Sequence, residues 1–150
     1  MFNIPKPSRV LALVLFLFTL IPIDFSRAGH APQQVCFSDQ CFEVEVSQTL
    51  AERMKGLQFR KSLEKNAGML FIFSESGKHS FWMKDTFIPL DMIWLDRDKK
   101  IVTIVPNILP CTTAQCPVYA PDKNALYVLE INAGVSIEKN LKVGDQAIFR

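Results

Sequence analysis

The chain is poor in histidine, with 2 in 150 residues, and it has no extended run of lysine and arginine. Without such a run, or basic residues interleaved with aromatics, there is no electrostatic footprint for nucleic acid. The sequence holds no G-x-S-x-G, no H-E-x-x-H and no glycine-rich phosphate loop. The common serine-hydrolase, zinc-protease and nucleotide-binding patterns are therefore excluded. No internal repeat appears, which excludes a solenoid or propeller. Charged residues are not in excess at 21%, and hydrophobic residues reach 49%. That balance excludes a disordered chain and fits one small globular domain.

What is present begins with a targeting signature. Lys6 and Arg9 precede an uncharged apolar run from Val10 to Ile23. The run falls short of the about 20 residues that span a bilayer comfortably, and Pro22 interrupts it. Ser26 and Ala28, then Gly29 and Ala31, place small residues at the −3 and −1 positions of a cleavage site. The pattern predicts a signal peptide over residues 1–31, cleaved after Ala28 or Ala31. A single exported domain over 32–150 would follow, periplasmic or secreted, with no stable membrane anchor after cleavage. No cysteine closely follows the run, so a lipoprotein is not expected. The formal net charge of +2 belongs to this leader, which holds Lys6, Arg9 and Arg27 against Asp24 and leaves the domain neutral.

The 4 cysteines, Cys36, Cys41, Cys111 and Cys116, all lie in the predicted mature domain. An even number in an exported chain points to disulfides, and four cysteines allow three connectivities. Two local bridges, 36–41 and 111–116, are the expectation, since each pair brackets a turn-like stretch. Loops so short contribute only about 2 kcal/mol each in the chain-entropy picture. A zinc site and a redox couple are the alternatives, against which stand the wide spacing and the lack of Cys-x-x-Cys.

Alternation of Phe42, Val44 and Val46 with Glu43 and Glu45 predicts a half-buried strand, with Val35 to Phe37 as its hairpin partner. Thr49 and Glu52 form a capping box, and Gly56 is a C-terminal cap, so a short helix is expected from Leu50 to Lys55. Leu50, Met54 and Leu57 make a stripe expected to lie on the sheet. Further strands are predicted at Gly68–Phe73, from Phe81, at Leu90–Leu95, Ile101–Val105, Ala125–Ile131 and Gln146–Phe149. Ser74 to His79 reads as a polar loop, proline-rich 106–121 as a long stiffened loop, and Ser136 to Asn140 as a helical turn. The sum is an α+β domain: a mainly antiparallel, curved sheet or small barrel of about seven strands with one or two short helices.

Five segments carry a family pattern. They are Glu52-Arg53-x-x-Gly56-Leu57-x-x-Arg60, then Gly68-Met69-Leu70-Phe71-x-Phe73, then Phe81-Trp82-Met83-Lys84-Asp85-Thr86-x-Ile88-Pro89-Leu90-Asp91. Tyr127-Val128-Leu129-Glu130-x-Asn132-Ala133-Gly134 and Gly144-Asp145 follow. Over nearly the whole predicted domain the chain resembles the domain-of-unknown-function family numbered one hundred and ninety-two. The resemblance implies a small mixed β-rich domain, often exported, and supplies no reaction.

The candidate site is Arg60, Trp82, Lys84, Asp85 and Asp91. Asp91 should share a strand face with Ile93 and Leu95, and a carboxylate facing a core needs a partner. Arg60 is the partner the sequence offers, as a structural ion pair or as part of a polar pocket. In the pocket reading Trp82 is an apolar wall, Arg60 and Lys84 receive an anionic group, and Asp85 or Asp91 accepts hydrogen bonds. His79 is the one plausible imidazole base, and no catalytic set can be assigned around it. Met54, Met69, Met83 and Met92 are scattered along apolar stripes and read as core rather than a copper site. No cofactor or metal is expected. The favoured function is a binding module for a small ligand or an envelope protein. The alternatives are an envelope hydrolase, with a glycan as one candidate substrate, using Asp85 and Asp91, and a purely structural module.

Overall fold

The computed structural model describes residues 33–150; the predicted signal peptide and its cleavage sites at Ala28 and Ala31 lie outside the described residues. Nine strands and two helices follow in chain order. They are β1 (Gln34–Phe37), β2 (Gln40–Ser47), α1 (Leu50–Lys55), β3 (Ala67–Gly77), β4 (Phe81–Trp82) and β5 (Leu90–Leu95). Then come β6 (Ile101–Ile108), β7 (Val118–Tyr119), β8 (Ala125–Asn132), α2 (Val135–Glu138) and β9 (Ala147–Phe149).

Seven strands form one sheet in the order β6-β5-β8-β3-β2-β1-β9, and β4 pairs with β7 apart from it. Every adjacent pair is antiparallel except β2 with β3. The sheet curls until its two edges touch at one end. There Lys100 bridges Gln146, Ile101 N–H donates to the Asp145 carbonyl at 2.9 Å, and Ala147 N–H donates to the Lys99 carbonyl at 2.9 Å. The architecture is a mostly antiparallel half-barrel with two short helices.

Strand alternation sorts the core into two faces. Leu70 of β3, Ile93 and Leu95 of β5 and Leu129 and Ile131 of β8 point to one side. They meet Val35, Phe37 and Phe42 from β1 and β2, Ile101 from β6 and Ala147 from β9. Residues from both ends of the strand order converge here, so this is the concave interior. Met69, Phe71, Met92, Trp94 and Val128 point to the convex side, where Leu57, Met83, Ile88 and Cys111 cover them. This second core is roofed by connecting segments, and its roof is where the candidate site lies.

Several expectations are corrected. The parallel β2–β3 pair makes α1 a crossover element, where hairpin connections were expected to dominate. The strand predicted to end at Phe73 runs on to Gly77 and absorbs most of the predicted polar loop. Within 106–121, β6 reaches Ile108 and β7 supplies a partner for β4. The apolar stripe of α1 does not lie on the sheet: Leu50 is 68% and Met54 69% exposed, and only Leu57, beyond the helix, is buried. The capping box at Thr49 and Glu52 forms as read, with Gly56 at φ +46° ending the helix. Arg53 then holds α1 in place. Its guanidinium donates to the carbonyls of Gln48 and of Ile72 and sits 5.0 Å over the Phe73 ring. A polar anchor on one face leaves the apolar face turned outward. The same exposure removes Met54 from the core, whereas Met69, Met83 and Met92 are buried.

The disulfides are local, Cys36–Cys41 and Cys111–Cys116. The first staples the β1–β2 hairpin, where Cys36 and Cys41 are register partners. The second closes the loop that leads to β7. Among the described residues, no helix is long and apolar enough to cross a membrane.

Candidate functional site

The expected Arg60–Asp91 pair does not form. Arg60 is paired with Glu45 at the surface. Asp91 is fully buried and accepts three backbone N–H groups. Its Oδ1 takes Asn107 N–H at 2.7 Å and Gly134 N–H at 2.9 Å, and its Oδ2 takes Ser136 N–H at 2.7 Å. Asn107 (φ +56°) and Gly134 (φ +83°) both lie in the left-handed region, so the carboxylate pins two sharp turns and the start of α2. A carboxylate fully buried with both oxygens accepting backbone N–H groups needs no guanidinium and is not exposed to a substrate. The carboxylate-pair hydrolase loses one of its two groups on this geometry.

Asp85 joins two loops through its backbone. At φ +55°, its N–H donates to the Cys111 carbonyl at 3.0 Å and its carbonyl accepts Phe59 N–H at 2.8 Å. His79 is also engaged. Its ring stacks on Phe73 with centroids 3.5 Å apart, its Nε2 donates to the Glu75 carbonyl, and its own carbonyl accepts the Trp94 indole N–H. It is a packing histidine.

Trp82 and Lys84 are brought together at the opening of the convex core. Trp82 is 55% exposed, in β4 opposite the exposed Val118 of β7. An open groove of about 700 Å³ runs between α1 and β4. Leu50, Met54, Phe73, Phe81 and Trp82 give it apolar walls, and Arg53, Lys55 and Gln58 its polar rim. The outward face of α1 is thus one wall of a groove. Beneath it lies a chamber with only about 30 Å³ of free space, between Leu57, Phe71, Trp82 and Lys84. Six residues line both, among them Met54, Phe81 and Trp82, so the two spaces adjoin.

The chamber's floor holds Glu130, which the sequence reading passed over as a site residue. It lies in β8 with Met69 and Met92 as its register partners on either side. Only 4% of it is exposed. Among the described residues no side chain or backbone group bonds its carboxyl, and burial alone pushes its pKa up to about 8. A signal was present: a lone acid on the Val128 face of a strand is as anomalous as Asp91, and it attracts attention by the same rule. Lys84, on the chamber wall, donates its ammonium to the Thr113 carbonyl at 3.2 Å and so ties the wall to the disulfide loop. Among the described residues no group of three or more His, Cys, Asp and Glu side chains is placed to hold a metal.

A curled half-barrel with a groove laid over its convex core defines a class of small mixed β-rich domain. The chain belongs to the DUF192 family, an uncharacterized ACR, whose profile matches residues 33–149. Two solved structures are similar. One is a protein of unknown function from Novosphingobium aromaticivorans DSM 12444, 32% identical, with a TM-score of 0.71 over 79% of this chain and 84% of that one. The other, described as a "putative transcription regulator" from Sinorhizobium meliloti 1021, is 30% identical, with a TM-score of 0.71 over 83% of this chain and 98% of that one. Among curated proteins nothing matches the chain.

Proposed function

We propose that the protein is an exported binding module of the cell envelope, with the α1–β4 groove as its ligand site and no chemistry of its own. The single observation that carries this reading is the groove of about 700 Å³ with exposed Leu50, Met54 and Trp82 on its walls. Apolar side chains gathered along a concave surface, with a few polar groups at the rim, are what a small-ligand site requires. Trp82 and Lys84 are the binding residues. Arg60, Asp85 and Asp91 act as supports. Export is supported by Lys6, Arg9 and the apolar run after them, and by two disulfides in so small a domain. The Sinorhizobium relative is described in terms of transcription, whereas the domain here is neutral beyond the leader and lacks the basic run that nucleic-acid binding calls for.

The test is mass spectrometry on protein purified from the periplasm, native and denatured side by side, with Trp82→Ala beside the wild type. The expected result is a mature chain with both disulfides and an added mass that leaves on denaturation and is missing from Trp82→Ala. An added mass that persists in the variant places the site elsewhere. If the wild type carries nothing, titration with the apolar dye 1-anilinonaphthalene-8-sulfonate decides, and failure of the folded protein to bind it refutes the reading.

A further inference from the structure

The nature of the ligand can be argued from what lines the two adjoining spaces. The groove offers an apolar trough along α1, whose six residues extend about 9 Å at 1.5 Å per residue. The chamber below has free space of about 30 Å³, of the order of one water molecule. A ligand body fits the first and only a small polar head fits the second. Three cationic side chains, Arg53, Lys55 and Lys84, line groove or chamber, and Glu130 is the one acid in either lining. Arg53 is committed to the Gln48 and Ile72 carbonyls, whereas Lys84 gives one N–H to Thr113 and retains two. The field at the opening is therefore positive, and it favours a head that is an anion and an acceptor.

We propose that the occupant is a small amphipathic acid, its apolar body along α1 against Trp82 and its carboxylate turned into the chamber toward Glu130, with Lys84 beside it. This rests on the groove being a ligand site at all. The Glu130 carboxyl has no protein hydrogen-bond partner among the described residues and lines the free space of the chamber, where a ligand group can supply its bonds. Held protonated at neutral pH by its burial, it donates its O–H to the ligand carboxylate, which the Lys84 ammonium also faces. The charged groups near it are Lys84 from the segment after β4 and Arg53 and Lys55 from α1; β3 and β5 present Met69 and Met92. A cationic head would meet three positive charges and a carboxyl already carrying its proton.

Calorimetric titration with octanoate, octanol and octylammonium, at about pH 6 and about pH 9, where the lysine and alkylammonium groups stay charged, tests this on the mature protein. Octanoate should bind at least about tenfold tighter than the other two at the lower pH. It should weaken at least about tenfold at the higher pH, when ionised Glu130 repels it, and Glu130→Gln, whose amide still donates, should abolish that weakening. Lys84→Gln should weaken octanoate severalfold and leave octanol unchanged, a check that does not depend on the Glu130 variant folding. Octylammonium as the tightest ligand, lost in Glu130→Gln, overturns the proposal in favour of a cation. Octanol binding as well as octanoate overturns the head assignment and leaves the groove reading standing. No binding by any of the three overturns both. A stable dimer that Met54→Glu dissociates makes a second copy the occupant and overturns the acid.

Discussion

Replacing Glu130 by glutamine should change how stability depends on pH, and the sign follows from linkage. In the unfolded chain the carboxyl has its ordinary pKa of 4.5, and in the folded protein burial pushes it up to about 8. Below 4.5 both states hold the proton, and the contribution of the protonated group to stability is complete. Between the two values the folded state keeps a proton that the unfolded state has released, so stability falls as pH rises. Above about 8 the contribution is gone. At 1.36 kcal/mol per pH unit, the interval amounts to up to about 5 kcal/mol, against total stabilities of about 5–15 kcal/mol for ordinary domains. Glutamine imitates the protonated acid at every pH. The variant should therefore match the wild type near pH 5 and exceed it by several kcal/mol at pH 9. Glu52 and Glu138 have lowered values, from hydrogen bonds to the Thr49 and Gln48 backbone and from Lys139 respectively. Their contributions are lost as pH falls below the ordinary carboxylate range, outside the Glu130 window. Urea unfolding at several pH values, with the slope m checked for constancy, measures the effect. Parallel stability curves for the two proteins would refute the argument that Glu130 is buried without a partner.

Asp91→Asn leaves one oxygen and an NH2 group to face three backbone N–H donors, and should cost at least about 3 kcal/mol in chemical unfolding. Trp82→Ala should lose ligand while changing stability by no more than about 1 kcal/mol; a large drop in melting temperature would instead make Trp82 a structural residue. Thr49→Ala removes the cap of a helix that buries none of its residues, and should cost about 1 kcal/mol, seen as faster amide exchange confined to α1. Cys111→Ser with Cys116→Ser should cost about 2 kcal/mol and leave the β1–β2 hairpin intact, as read by exchange protection there.

Local signals were legible where local chemistry decides. The capping box marked α1 to the residue, and β5 appeared at Leu90–Leu95 because an apolar run between two turn signals has few other readings. The two local disulfides form as expected from the turn-like stretch each pair brackets, although the sequence alone leaves three connectivities open. The parallel β2–β3 pair was not legible, because a helix of six residues is a weak signature of a crossover. Asp91 was correctly placed on the core side of its strand, but its partners are main-chain N–H groups. Every non-proline residue carries one, and only the tertiary fold decides which three converge. Arg60 was named because side chains are visible in a sequence and backbone donors are not. The α1 stripe was misplaced for a related reason: Leu50 and Met54 have helical spacing whether the face is buried or lines a groove. Glu130 stood in plain view within a strand, yet its lack of a partner emerges only once β3 and β5 are seen to flank it with methionines.

The closing strand of the half-barrel also bears on when the protein can fold. β9 pairs with β1, and its approach touches the far edge through Lys100 and Gln146, so residues separated by most of the domain must meet before the curl closes. Non-local pairings of this kind form late, after loop-closure entropy has been overcome, and they slow folding. A nascent chain lacks β9 until residues 147–149 have been made. Until then β1 presents an open edge, and the interior beside it lacks Ala147. The curl therefore closes only once β9 is available, whereas the Cys36–Cys41 bridge lies inside a hairpin that needs nothing from β9.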